Sequence, residues 1–347
     1  MNISLLDDNS SIQFTLKERF RDDKFSPQIA REKQAMIYNQ QDIFVRAILS
    51  NIIIIFEKFL SIQYRILVVC EPKKYFENKT INISDIFEKN IGEILDKEID
   101  NEVNANMFDS IKALDRMFEK SSINLDRYIK IRKEFEEIYY RRNLFVHCDG
   151  FVNEIYLSKV DSKYTKNVKK NQKLVCDDIY LENAILVLKK IISSLHCEML
   201  HCFNASQEEY DTISDYGFEA LKNSQYSLAE YVYCILRREK SFEFNYKIMY
   251  ELNYINSLKQ QGKDIQSLTD KLDVTIAEMR YKIAKECLLN NHETTYNLLV
   301  ESYPKSFCAI MVREWPIFVD FRKTDYYTRF VGEHQEDFEV FVFEESL

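Results

Sequence analysis

Tyr139-Tyr140-Arg141-Arg142-Asn143-Leu144-Phe145-Val146-His147-Cys148-Asp149-Gly150 closes a long helical pattern and carries the residue that breaks it. Ile131, Phe135 and Ile138 recur at i, i+4 and i+7, the spacing of one apolar stripe on an α-helix. Extended at about 100° per residue, the stripe reaches Arg142 and then Val146. An arginine therefore stands where the pattern asks for a leucine. A guanidinium cannot shed its charge, so it is rarely buried without a partner. Asn143 and His147, one turn apart, share a neighbouring face. A cation, an amide and an imidazole thus meet where a core helix runs into a glycine turn. Two readings stand at this point. In one, Arg142 pairs with a buried carboxylate and His147 is a satisfied helix-end histidine; in the other, they form a site.

The rest of the composition favours helices throughout. The chain has 347 residues, enough for two domains with real cores. Five glycines and four prolines leave few tight hairpins, and with long 3.6-period segments this predicts an all-α protein. A net charge of −9 and a pI of about 5.3 exclude a broad nonspecific nucleic-acid surface, so RNA contact is confined to a local patch. The eight cysteines fall at 70, 148, 176, 197, 202, 234, 287 and 308 without C-x-x-C pairs, as expected of reduced thiols in a cytoplasmic protein. The N-terminus lacks the basic and apolar regions of a signal peptide. The greasiest run, Ile43 to Leu60, contains Arg46, Asn51, Glu57 and Lys58 and predicts a buried core helix rather than a membrane span.

In chain order, residues 1–27 read as irregular and end at Ser26-Pro27, a helix start. A long helix is predicted over 28–70, dense enough in apolar residues to need neighbours on several sides or a dimer partner. Glu71-Pro72 closes it. Further helices are predicted over 82–98, 104–120 and 125–148, with Ser122 or Asn124 as the cap of the last. Phe151 to Val160 reads as a short extended piece. Lys159, Lys163, Lys166, Lys169, Lys170 and Lys173 then crowd a connection in which Asp161 is the one acid. That run is either a solvated loop or an RNA-backbone contact. Asp177-Asp178 caps a helix over 178–204, ending in His196-Cys197-Glu198-Met199-Leu200-His201-Cys202. Cys197 and His201 have metal-ligand spacing, but no second ligand pair follows, so core packing is expected and no metal.

From about 205 the texture changes to shorter helices: 210–221, 228–238, 243–261, 268–289 and 294–303. The segments beginning near Phe244 and Glu278 lie 34 residues apart, the tetratricopeptide period, and predict stacked αα-hairpins over 205–347. The aromatic cluster around Trp315, Phe318, Phe321, Tyr326, Tyr327 and Phe330 is expected to be local core, and the tail from Glu333 to Glu345 is acidic.

Arg142-Asn143-x-x-x-His147, followed by Asp149-Gly150-Phe151-Val152-Asn153-Glu154-x-Tyr156-Leu157, resembles the R-x4-6-H signature of HEPN domains, most closely those of bacterial toxins and phage-defence proteins. The resemblance covers about the first 200 residues and is tightest from 130 to 200. It implies a HEPN-like helical bundle over 28–204, and a metal-independent endoribonuclease that needs no cofactor. On that reading His147 takes the proton of a ribose 2′-OH, Arg142 answers the phosphate charge, and Asn143 positions the phosphate or the histidine tautomer. Arg141, Lys166, Lys169 and Lys170 are the candidate RNA contacts. Residues five apart on a helix point about 140° from each other, so Arg142 and His147 of one chain do not converge. The resemblance supplies the answer: HEPN sites are composite, which implies a homodimer through this domain. A regulatory protein partner is expected on the C-terminal helices, and no membrane association. Asp149 stands where nucleotidyltransferase-regulated relatives of this superfamily carry tyrosine, which argues against control by adenylylation there. The alternative is a noncatalytic HEPN and helical-repeat scaffold, with Arg142 and His147 structural.

Overall fold

The computed structural model describes residues 27–77, 80, 90–107, 110–120, 126–238, 242–305 and 308–339. Among these the chain is all-α, and its one β feature is an isolated antiparallel bridge between Phe151 and Lys173. Residues 1–26 of the predicted irregular segment 1–27, the caps Ser122 and Asn124, and residues 340–345 of the acidic tail lie outside the described residues.

The first half is built on α1 (Pro27–Cys70), which ends where Glu71-Pro72 leaves the helical region. There follow α2 (Pro72–Phe76), α3 (Ile91–Asn106), α4 (Ser110–Lys120), the motif helix α5 (Asp126–Cys148), the short α6 (Glu154–Lys159) and α7 (Ser162–Thr165), and α8 (Asp178–Cys202). Leu49, Ile53, Phe56 and Leu60 of α1 meet Phe135 and Ile138 of α5 and Leu188 and Ile191 of α8 in one core. At its centre the Phe56 and Phe135 rings pack edge-on, 5.2 Å apart.

Two predicted boundaries move in this half. Residues 82–89 of the helix expected over 82–98 lie outside the described residues; the helix from Ile91, capped by the Asn90 side chain on Gly92 N, runs on to Asn106, and the one expected over 104–120 is Ser110–Lys120. The extended piece expected over 151–160 is a helix from Glu154. Asn153 caps it through Tyr156 N, and Val152, Tyr156 and Val160 bury at helical i, i+4, i+8 spacing.

The second half runs α9 (Gln207–Lys222), α10 (Tyr226–Leu236), α11 (Phe244–Lys259), α12 (Gln266–Lys271), α13 (Met279–Leu288), α14 (His292–Ser302), α15 (Ala309–Glu314), α16 (Asp325–Glu333) and α17 (Gln335–Glu339), with two 3-10 turns at Pro316–Phe318 and Phe321–Lys323. Turns of three residues join α9 to α10 and α13 to α14, making αα-hairpins. Each turn carries one residue at positive φ, Ser224 and Asn290. The single helix expected over 268–289 is two: the chain turns at Leu272–Glu278, where the Asp273 carboxylate accepts from Thr275 N. The Trp315 aromatic group is buried, with Trp315 Nε1 donating to Asn253 Oδ1 at 3.0 Å. No described helix is long and apolar enough to cross a membrane.

Candidate functional site

The C-terminal turns of α5 present the motif. Val146 and His147 are exposed, while Arg142 and Asn143 are half-buried at the edge of the core. Arg142 Nη1 donates to Asn143 Oδ1 at 3.0 Å, so the amide holds the guanidinium rather than the imidazole. Arg142 Nη2 lies 3.9 Å from Glu57 Oε2 on α1, close enough to feel the charge and too far for a hydrogen bond. The other oxygen of Glu57 accepts from Ser110 Oγ at 2.7 Å. Arg142 Nε is buried and has no hydrogen-bond partner. A guanidinium that keeps a buried donor unmatched is under-satisfied by its own protein. His147 makes no hydrogen bond or ion pair to any described residue.

Behind this edge stand two arginines hydrogen-bonded to carboxylates. Arg141 Nε donates to Glu137 Oε1 at 2.6 Å, and its guanidinium lies 4.1 Å over the Tyr180 ring. Glu137 also accepts from Tyr156 OH at 2.7 Å and Tyr180 OH at 2.8 Å, so a nearly inaccessible carboxylate has every partner it needs. Burial, then the Glu137 charge, pushes both phenols well above their ordinary range. Arg141, a candidate RNA contact by sequence, is thereby committed to the interior and ties α5 to α6 and α8.

The other arginine is Arg46 on α1. Its Nε donates to Asp42 Oδ1 at 2.9 Å, and its Nη1 to Asp149 Oδ1 at 2.9 Å and Asp149 O at 3.2 Å. Its Nη2 lies 2.5 Å from Asp42 Oδ2 in a charge contact without hydrogen-bond geometry. Asp149 has φ +47 and Gly150 φ +82, so the chain reverses directly after the motif. A Cβ on Gly150 would sit 3.1 Å from Leu174 O and 3.2 Å from Arg46 Nη2, which leaves glycine as the residue that fits. A hydrogen bond from Lys173, then the charges of Lys173 and Arg46, hold the Asp149 carboxyl below its ordinary value.

The lysine-rich connection is partly neutralised. Lys170 pairs with Glu154 at 2.9 Å and Lys173 with Asp149 at 3.2 Å, whereas the exposed side chains of Lys159, Lys166 and Lys169 have no ion pair among the described residues. Of the three lysines expected to touch RNA, Lys166 and Lys169 are therefore available. Cys197 is core, burial lowers the His196 pKa, and no three His, Cys, Asp or Glu among the described residues form a metal-binding group.

Sequence reading missed Glu57, Ser110 and the Arg46–Asp149 clamp because these contacts span long separations. The Glu137–Arg141 pair was visible as an i, i+4 match; its tyrosines were not. Comparison with family models, with curated proteins and with solved structures finds no match for this chain.

Proposed function

We propose that the chain is a metal-independent endoribonuclease of the HEPN type, acting as a toxin or phage-defence effector. The observation that carries the reading is the state of Arg142: oriented by Asn143, with one buried donor unmatched, four and five residues from an exposed valine and an unpartnered imidazole on the same helix end. No carboxylate among the described residues is hydrogen-bonded to this guanidinium, so its charge is open to an anion. His147 takes the proton from a ribose 2′-OH, and the oxygen attacks the adjacent phosphorus. The bond to the 5′ oxygen breaks, that oxygen gains a proton, and the ends are a 2′,3′-cyclic phosphate and a 5′-OH. Because positions 142 and 147 point apart on one helix, the second group of each site comes from the motif of another copy.

The test is cleavage of total RNA by the purified chain in EDTA, with the ends mapped. Wild type should leave cyclic phosphates. His147→Ala should lose about 10²–10⁴-fold in rate, and Arg142→Ala about 10²–10³-fold. Wild type that leaves RNA intact, or a His147→Ala protein as active as wild type, sinks the reading.

Glu57 beside Arg142 favours a second reading, the scaffold, because a structural arginine also sits near a carboxylate. Growth arrest on induction of wild type and not of His147→Ala separates the two. On either reading the C-terminal hairpins are the surface for a regulatory protein.

A further inference from the structure

An unpartnered apolar face lies on α1, on the side turned away from the motif helix. Phe44, Ile54, Ile55, Ile62, Ile66 and Val69 are all exposed, Ile55 by 68% and Phe44 by 66%. At about 100° per residue these positions fall on one face, roughly opposite Arg46, Ile53, Leu60 and Tyr64, which pack inward. On α3, which packs against α1, Ile91 and Leu95 are exposed as well. At about 100 Å² for each such side chain, the face approaches the roughly 800 Å² per partner of a standard specific interface. It also exceeds the few hundred Å² that ordinary monomers leave in one patch.

We infer that α1 pairs with α1 of a second copy of this chain, antiparallel, across a two-fold axis near Leu60. Charge selects both occupant and direction. The face carries two formal charges: Lys58, which is exposed and has no ion pair among the described residues, and Arg65 at its edge, which pairs with Asp96 and Asp100 of α3. Beside the face, the exposed Asp96 and Asp100 of α3 share a single Arg65 as partner, leaving one negative charge over. A parallel pair in register would set Lys58 on Lys58 and Asn51 on Asn51, like on like along an apolar seam. The antiparallel pair sets Asn51 level with Val69 of the second copy, Ile55 with Arg65, and Lys58 with Ile62. There the lysine stem lies on the isoleucine and its ammonium reaches toward the Asp96–Asp100 edge. The surface is thus complementary to itself, as a two-fold interface must be.

This pairing does not depend on the nuclease reading and uses a different side of the bundle from the motif. The test is the mass of the full chain by light scattering in reducing buffer, for wild type and for Ile55→Glu/Ile62→Glu. Both positions are exposed, so the variant should keep its helical circular dichroism while its mass falls by half. A second variant fixes the register. In a Cys70→Ser/Cys308→Ser background, which removes both exposed thiols among the described residues, Asn51→Cys/Val69→Cys should give a reducible covalent dimer on oxidation with oxidised glutathione. These two positions lie about 27 Å apart within one helix, too far to join to each other. A monomeric wild type, an unchanged mass in the glutamate variant, or no cross-link in a dimeric chain overturns the inference. Loss of half the mass in Val146→Glu with none in the glutamate variant assigns the dimer to the motif face and overturns it equally.

Discussion

At the scale of single residues, three cations near the motif have three different fates, and their partners decide which. Arg141 is saturated by Glu137, so removing the carboxylate leaves a guanidinium and two phenols buried without it. Glu137→Ala should cost about 3–5 kcal/mol in urea unfolding, and Glu137→Gln clearly less, because the amide still accepts hydrogen bonds. Arg46→Met should cost about 2 kcal/mol for the charged hydrogen bonds it gives Asp42 and Asp149. The Asp149 carboxyl adds a sign that can be tested. Its folded value lies below the ordinary 3.8, so its contribution is complete above that pH and is lost as pH falls through the folded value. Acid should therefore loosen the Asp149-Gly150 turn only below about pH 4, as followed by the Gly150 amide resonance, and Asp149→Asn should abolish the transition. The sequence showed Arg142 as an anomaly because its stripe is local. It could not separate Arg142 from Arg141 by burial, since Tyr156, Tyr180 and Glu57 approach from other elements. Position in a helical pattern identifies an unusual residue, and only its long-range partners show whether it is satisfied.

At the scale of elements, helix identity was legible and helix ends were legible only where a cap was. Asp177 accepts from Tyr180 N at 2.7 Å, and α8 starts at the next residue, as expected; the capping box of Ser206 and Glu209 went unread, and α9 starts at Gln207, three residues before the expected 210. The breaks at Met107 and Leu272–Glu278 lack glycine and proline, so the apolar periodicity ran through them unmarked. Helix crossing was equally silent. On α9, a Cβ at Gly217 would stand 2.9 Å from Val232 Cγ1 and 3.1 Å from two Tyr233 ring carbons. Two effects oppose each other in Gly217→Ala. Helix propensity favours alanine by about 1 kcal/mol, and overpacking costs about 1–3 kcal/mol. Tyr233 is fully buried and its hydroxyl is tied to Ser214 O at 3.1 Å, so the ring cannot swing aside and overpacking wins. Net destabilisation of about 1 kcal/mol is expected, read from the thermal midpoint; a stabilised variant would show that α10 has room to shift.

At the scale of the whole molecule, the texture change at 205 suggests two independent halves, and α8 argues against their independence. Ala184, Leu188, Ile191 and Leu195 of α8 enter the first core, while Cys197 enters the core of α9 and α10. Ser194 Oγ and Tyr231 OH are 2.6 Å apart, and the Tyr231 ring packs against both cores. Sequence could not show this, because a helix apolar on most sides looks the same whether one core or two surround it. Chains with two cores often unfold in steps, but a shared helix makes the loss of one core expose the flank of the other. The single tryptophan gives a probe for this, since Trp315 lies far along the chain from α5 in a third core, which Met249 and Tyr254 join to that of α9 and α10. Phe135→Ala removes a fully buried ring from the first core at a cost of about 3–5 kcal/mol. If α8 couples the halves, the urea midpoint followed by Trp315 fluorescence falls with the midpoint followed by circular dichroism, and by the same amount. If they are separate, the Trp315 midpoint stays where it was in the wild type. A motif in the first half is then open to control from the hairpins of the second, because whatever steadies α9 and α10 also steadies α8, and through Tyr180 and Glu137 the helix that carries Arg142.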